Sequence, residues 1–209
     1  MLPSKAWETE GMAGSVTDIR VATPDDASEV GRIFGAGFED DPVLSWVFRD
    51  PARGQKLRDM FSFLVAELFV PTGSTWVMDG AAAAWQPPSP PPADDAFLTG
   101  MAAALEVRAT PEDIERLLLM GAAMDEAHPT EPHWYLGVIA TEPERRAQGM
   151  GGALLTESLQ VVDADRSPAY LESSNPRNIT LYERHGFVVT REIPIGDGPS
   201  MTAMWRAAR

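Results

Sequence analysis

The amino-acid sequence predicts an α/β fold, a central β-sheet flanked by helices, on three observations. The apolar segment HWYLGVIAT at 133–141, the turn PERRAQGMGG at 143–152 and the run ALLTESLQVV at 153–162 read in order as strand, glycine-bearing turn and amphipathic helix. The alternation continues with a strand over 169–173 and a helix over 178–185, the pattern of helices covering a sheet. The chain has 209 residues, 44% of them hydrophobic, enough to bury one substantial core.

From the start of the chain, residues 1–14 are polar, contain glycine and show no periodicity, and read as a mobile tail. No linker divides the remainder, so a single domain over 15–209 is expected. Val16 to Val21 forms a short strand. Thr23 stands before Pro24 as an N-cap stands before a proline at the first helical position, with Asp25 and Asp26 near the positive end of the helix. That helix runs to about Phe38 with Ala27, Val30, Ile33 and Phe34 on one stripe, and Pro42 argues against further helix. Within 53–69, Leu57, Met60, Phe61, Leu64, Val65 and Leu68 recur at helical spacing. Two short strands, 75–78 and 81–85, turn at Asp79-Gly80, a two-residue hairpin signal. QPPSPPPADD at 86–95 lacks amide donors at its prolines and reads as an exposed connector, whose stretch 86–92 has the composition of a partner-binding loop. Helices over 96–108 and 111–127 follow. The strand at 133–141 is apolar through its centre and is expected to be buried on both sides. Strands over 187–193 and 201–205 close the fold around Gly196-Asp197-Gly198-Pro199.

Composition narrows the function. With 17 Lys+Arg against 31 Asp+Glu the formal charge is -14, so a phosphate backbone would be repelled and nucleic-acid binding is not expected. The same surface favours a cationic small molecule. The chain has no cysteine, which excludes disulfides, a thiolate nucleophile and Cys-ligated metal. No run reaches the roughly 20 apolar residues of a membrane span, and the first twenty lack a secretory apolar segment. A cytoplasmic location without membrane partners is the expectation, and no metal is expected.

The turn at 143–152 is the most specific chemical signal. Gly149, Gly151 and Gly152 open the helix at 149–164, where amides without intrahelical partners can donate to a diphosphate, and Arg145 and Arg146 add local positive charge. No lysine and hydroxyl pair follows these glycines, so the turn is not the loop of nucleoside triphosphatases. Its spacing also differs from the dinucleotide GxGxxG.

Arg146-Ala147-Gln148-Gly149-Met150-Gly151 resembles the acetyl-CoA signature Arg/Gln-x-x-Gly-x-Gly/Ala of the GCN5-related N-acetyltransferase (GNAT) family, with Pro143 as the customary proline. Asn178 to Phe187, NITLYERHGF, resembles the N-x-x-x-Y-x-x-x-G-F pattern near the end of such domains. The resemblance covers about 16–206, is strongest in 133–190, and within the family points most to the puromycin N-acetyltransferase group. It implies a GNAT-type mixed, splayed sheet, acetyl-CoA as the acyl donor, and transfer to a primary amine by direct attack on the thioester. The acceptor it suggests is a small antibiotic-like or aminonucleoside molecule, hence a role in antibiotic resistance. A protein, peptide or polyamine acceptor and a noncatalytic acyl-CoA-binding module stay open, as do monomer and homodimer.

By the same resemblance, backbone groups of Ile139, Ala140 and Thr141 hold the pantetheine arm. The run Arg146, Ala147, Gln148, Gly149, Met150, Gly151 and Gly152 holds the diphosphate, and Asn178 binds the distal arm or positions Tyr182. Tyr182, four residues on, is the candidate general acid for the departing thiolate. Glu172, at the end of the 169–173 strand, is the first choice for the base that deprotonates the amine. Asp40 and Asp41 are candidates to attract a cationic amine and Trp46 to cover its body, while Glu126 and His133 are further candidate acceptor contacts.

Overall fold

The computed structural model describes residues 18–88, 90, 95–106 and 108–209. The expected tail at 1–14, and Ser89, Pro91 and Pro92 of the stretch 86–92, lie outside the described residues. Strands β1 (Arg20–Val21), β2 (Thr75–Met78), β3 (Ala81–Gln86), β4 (Trp134–Thr141), β5 (Ala169–Ser173), β6 (Val188–Ile193) and β7 (Met201–Arg206) form one sheet. Their order is β1-β2-β3-β4-β5-β7-β6. Every neighbouring pair is antiparallel except β4 and β5, which run parallel.

Helices cover both faces. On one side α1 (Ala27–Gly37) and α3 (Arg53–Leu64) pack Val30, Ile33, Phe34, Leu57, Met60 and Phe61 against Val77, Ala82 and Ala84. On the other, α6 (Met150–Ala164) and α7 (Ile179–Arg184) pack Leu154, Leu155, Leu159 and Tyr182 against Ala81, Ala83 and Leu171. Each large side chain so buried contributes about 1.5–3 kcal/mol, and the small alanines of β3 let both helical layers approach the sheet. The remaining helices, α2 (Pro42–Val47), α4 (Asp95–Glu106) and α5 (Pro111–Ala127), lie on the α3 side of this arrangement or extend it.

The sheet opens at its centre. The parallel ladder pairs Trp134 with Ala169 and Tyr135 with Tyr170 and then stops, so β4 and β5 diverge beyond it. Two residues on, β4 carries a bulge: Ala84 of β3 faces Val138 and Trp85 faces Leu136, leaving Gly137 unopposed. A bulge bends its strand and re-aims the following side chains. Gly137 suits it, because a Cβ there would sit 2.8 Å from Cε1 of Phe69.

Three expectations are corrected. Pro42 does not end helical structure; it occupies the first turn of α2, where its missing N–H is no loss, and Asp41 caps that helix. The centre of β4 is not buried on both sides: buried residues alternate with the half-buried Tyr135, Gly137, Ile139 and Thr141. The helix expected over 53–69 is also not uniform, since α3 ends at Leu64 and Val65–Phe69 continue as a π-helical turn.

Candidate active site

The turn that follows β4 is shaped by two left-handed residues. Ala147 has φ 61° and Gly149 has φ 82°, and Gly149 is the N-cap of α6. Such a turn aims successive amides into one concavity, and the first turn of α6 adds amides without intrahelical acceptors. A Cβ on Gly149 would meet nothing within 4 Å, so the turn faces open space. That space is a cleft of about 540 Å³, and it is bordered by Ile139, Ala140 and Thr141 on one side and Asn178 and Tyr182 on the other.

Arginines supply the cleft with positive charge. Arg177 and Arg184 line it and make no ion pair among the described residues. Arg146 also lines it, but its guanidinium is held by Asp40 at 2.6 and 2.8 Å and by the carbonyl of Gly37 at 2.8 Å. That clamp fastens the end of α1 to the turn, and the Arg146 hydrogen bonds hold the Asp40 carboxyl below its ordinary range. Unpaired amides, arginines without carboxylate partners and the free edge of β4 fit a diphosphate-bearing cofactor with an extended amide arm. Gln148 does not border the cleft; its side-chain amide reaches back to the carbonyl of Glu144 at 3.3 Å.

A second cavity, about 390 Å³, lies where β4 and β5 part, walled by Met60, Phe61, Leu64, Leu117, Met120 and Met124 of α3 and α5. Phe38, Ile139, Asn178 and Tyr182 border both cavities. The two spaces therefore meet at the Tyr182 ring. Burial, and then the Asp41 carboxylate, push the Tyr182 phenol above its usual range, so it stays protonated at neutral pH. The ring is held edge-on to Phe187 at 6.2 Å.

Glu172 projects into the second cavity. Its side chain is 1% exposed, and neither carboxylate oxygen has a hydrogen-bond partner. Nδ1 of His128 stands 3.6 Å from Oε1 of Glu172, and the His128 side chain is 38% exposed. Around this pair, Tyr135 and Tyr170 have phenols raised by burial and by the nearby Glu172 charge.

The other candidates fall elsewhere. Asp41 is buried and committed: Oδ1 accepts from the amides of Val43 and Leu44 at 3.0 Å, and Oδ2 accepts from Oγ of Ser174 at 2.6 Å. Burial pushes its carboxyl upward against those hydrogen bonds. Asp40 and Asp41 border the first cleft and not the apolar cavity. Trp46, Glu126 and His133 border neither cavity. His133 is buried, with Nδ1 2.6 Å from the Glu131 carbonyl, and desolvation lowers its pKa. Among the described residues no cluster of His, Asp or Glu suits a metal ion.

Three features went unnamed in the sequence reading. Arg177 and Arg184 share a face with Leu181 at i, i+4 and i+7, a spacing visible around Asn178 and Tyr182. The isolated Gly137 within an apolar strand signals a bulge. The apolar wall from α3 and α5 carries no local signal, since methionine and leucine at helical spacing read as core.

Comparison with known proteins agrees with this geometry. Residues 112–189 match the family model described as acetyltransferase (GNAT) domain. Over 80 residues the chain is 38% identical to the mycothiol acetyltransferase of Acidimicrobium ferrooxidans, a match spanning 35% of this chain and 26% of that relative. The fold superposes with TM-score 0.67 and 26% identity on a Corynebacterium glutamicum protein described as histone acetyltransferase HPA2 and related acetyltransferase, covering 91% of this chain and 96% of that one. A Drosophila melanogaster polyamine N-acetyltransferase shares the fold, with TM-score 0.60, 14% identity, and 90% and 96% coverage. The fold is thus the mixed, splayed sheet of GNAT acetyltransferases, and the expected enzyme class, an N-acetyltransferase, is supported. None of these relatives is a puromycin N-acetyltransferase.

Proposed function

We propose that the protein is an acetyl-CoA-dependent N-acetyltransferase acting on the primary amine of a small molecule. The observation that carries this reading is the meeting of two cavities at Tyr182, one amide-rich and arginine-lined, the other apolar with a single carboxylate. When bound, acetyl-CoA supplies an acyl group activated as a thioester. The turn from Arg146 to Gly152 and the unpaired Arg177 and Arg184 hold its phosphates, and the free edge of β4 at Ile139, Ala140 and Thr141 aligns its amide arm. Asn178 lines the junction beside Tyr182.

The proton inventory falls to three side chains. Glu172 takes one proton from the substrate ammonium, which frees the nitrogen lone pair for attack on the carbonyl carbon. His128, at 3.6 Å and partly exposed, lies between Glu172 and solvent and passes that proton outward. Tyr182 would supply from its phenol the proton that a departing CoA thiolate needs, and would recover one from the acetylated nitrogen. The net reaction consumes an alkylammonium and releases an amide, a thiol and one proton.

A small antibiotic-like amine remains the proposed acceptor class, because the second cavity is of small-molecule size, while its apolar lining disfavours the sugar of an aminonucleoside. A turnover screen with mass detection across aminonucleosides, aminoglycosides, polyamines and peptides tests the reading. Acetylated small amines are expected. CoA binding with no acetylated product from any class would leave only a binding module.

A further inference from the structure

Resting on that function, we infer that the acceptor is a monoamine with an apolar body, seated between α3 and α5 with its one ammonium against Glu172. Of the described side chains lining the apolar cavity, Glu172 alone is charged. It is also a buried carboxylate with no hydrogen-bond donor on either oxygen. The part-exposed His128 ring at 3.6 Å pairs this carboxylate incompletely, and a single ammonium arriving from the substrate completes the pairing that a buried charge requires.

The rest of the cavity refuses a second charge. A diamine reaching past Glu172 would place its far ammonium among Phe61, Leu64, Leu117 and the methionines, with no carboxylate to receive it. A sugar body would bury hydroxyls against the same side chains. Met60, Met101, Met120, Met124 and Met201 line the space, and unbranched thioether chains repack around different shapes. The cavity therefore selects for one cation and an apolar body, and tolerates variation in the outline of that body.

The test compares phenethylamine, cadaverine and glucosamine on the full chain, by calorimetry with CoA bound and by kcat/KM with acetyl-CoA. Phenethylamine is expected to exceed the other two by about 100-fold in both readouts, the scale of an unpaired buried charge. In Glu172→Gln the preference for phenethylamine over the uncharged phenethyl alcohol should collapse, while CoA affinity and the melting transition show that the variant is folded. Equal binding of cadaverine, an unchanged preference in Glu172→Gln, or no binding of phenethylamine overturns the inference. Binding in this order without acetyl transfer supports the inference and instead refutes the assigned reaction.

Discussion

Tyr182 is placed to supply a proton. The phenol is held protonated by burial and stands where the two cavities meet. Tyr182→Phe removes the hydroxyl alone and should lower kcat by about 10²–10⁴-fold with little change in CoA affinity by calorimetry. Glu172→Gln should lower turnover too, yet stabilise the free protein by about 1 kcal/mol in urea unfolding, because a buried carboxylate that makes no hydrogen bond and meets only the part-exposed His128 ring becomes neutral. A destabilised variant would show that Glu172 has a structural partner. Asp40→Asn should change the acceptor KM hardly at all and the acetyl-CoA KM by up to about fivefold, since its partner is Arg146 at an exposed clamp. The sequence pointed to Tyr182 and the glycine turn because each stands in a patterned stretch, and to Glu172 from its place at a strand end. It did not expose that Asp41 is a helix cap bound by Ser174, because that contact joins residues 133 positions apart.

At the scale of elements, the acceptor wall depends on how α3 and α5 are joined. Lys56 of α3 meets Asp113 of α5 at 2.8 Å, with both side chains nearly buried, and Arg116 meets the same carboxylate at 2.8 Å. Asp113→Ala leaves that buried lysine with only the half-exposed Asp50 carboxylate at 3.4 Å, and should cost up to about 3 kcal/mol and raise the amine KM while CoA affinity holds. Burial works against the Asp113 charge, but Lys56 and the Thr110 amide hold its carboxyl below the ordinary range. The folded pKa is depressed, so this stability is present above about pH 3.9 and lost as pH falls through the folded value. Acid unfolding of Asp113→Asn followed by circular dichroism should show a shallower loss over that window than the parent protein. Helix boundaries such as Pro111–Ala127 were legible from Thr110, the proline and the apolar spacing. The start of α2 was misread because Pro42 serves at a first turn as readily as it breaks an interior, and only the Asp41 cap decides between them.

For the whole molecule, the parting of β4 and β5 is what turns a packed sheet into a site. The ladder stops at Tyr135, Gly137 bulges, and the side chains beyond it face the two cavities. The alternation of strands and helices was readable from hydrophobic period, but the splay was not, because the extent of a parallel ladder depends on pairing between segments far apart in the chain. The chain has no cysteine to carry an acyl group, and under the proposed function the junction at Tyr182 would bring donor and acceptor together at once. The central claim is direct transfer between them. It is tested most plainly by initial velocities over crossed concentrations of acetyl-CoA and phenethylamine, with acetylated amine quantified by mass. Intersecting double-reciprocal lines are the predicted result, and parallel lines, or CoA binding with no acetylated amine, would contradict the account.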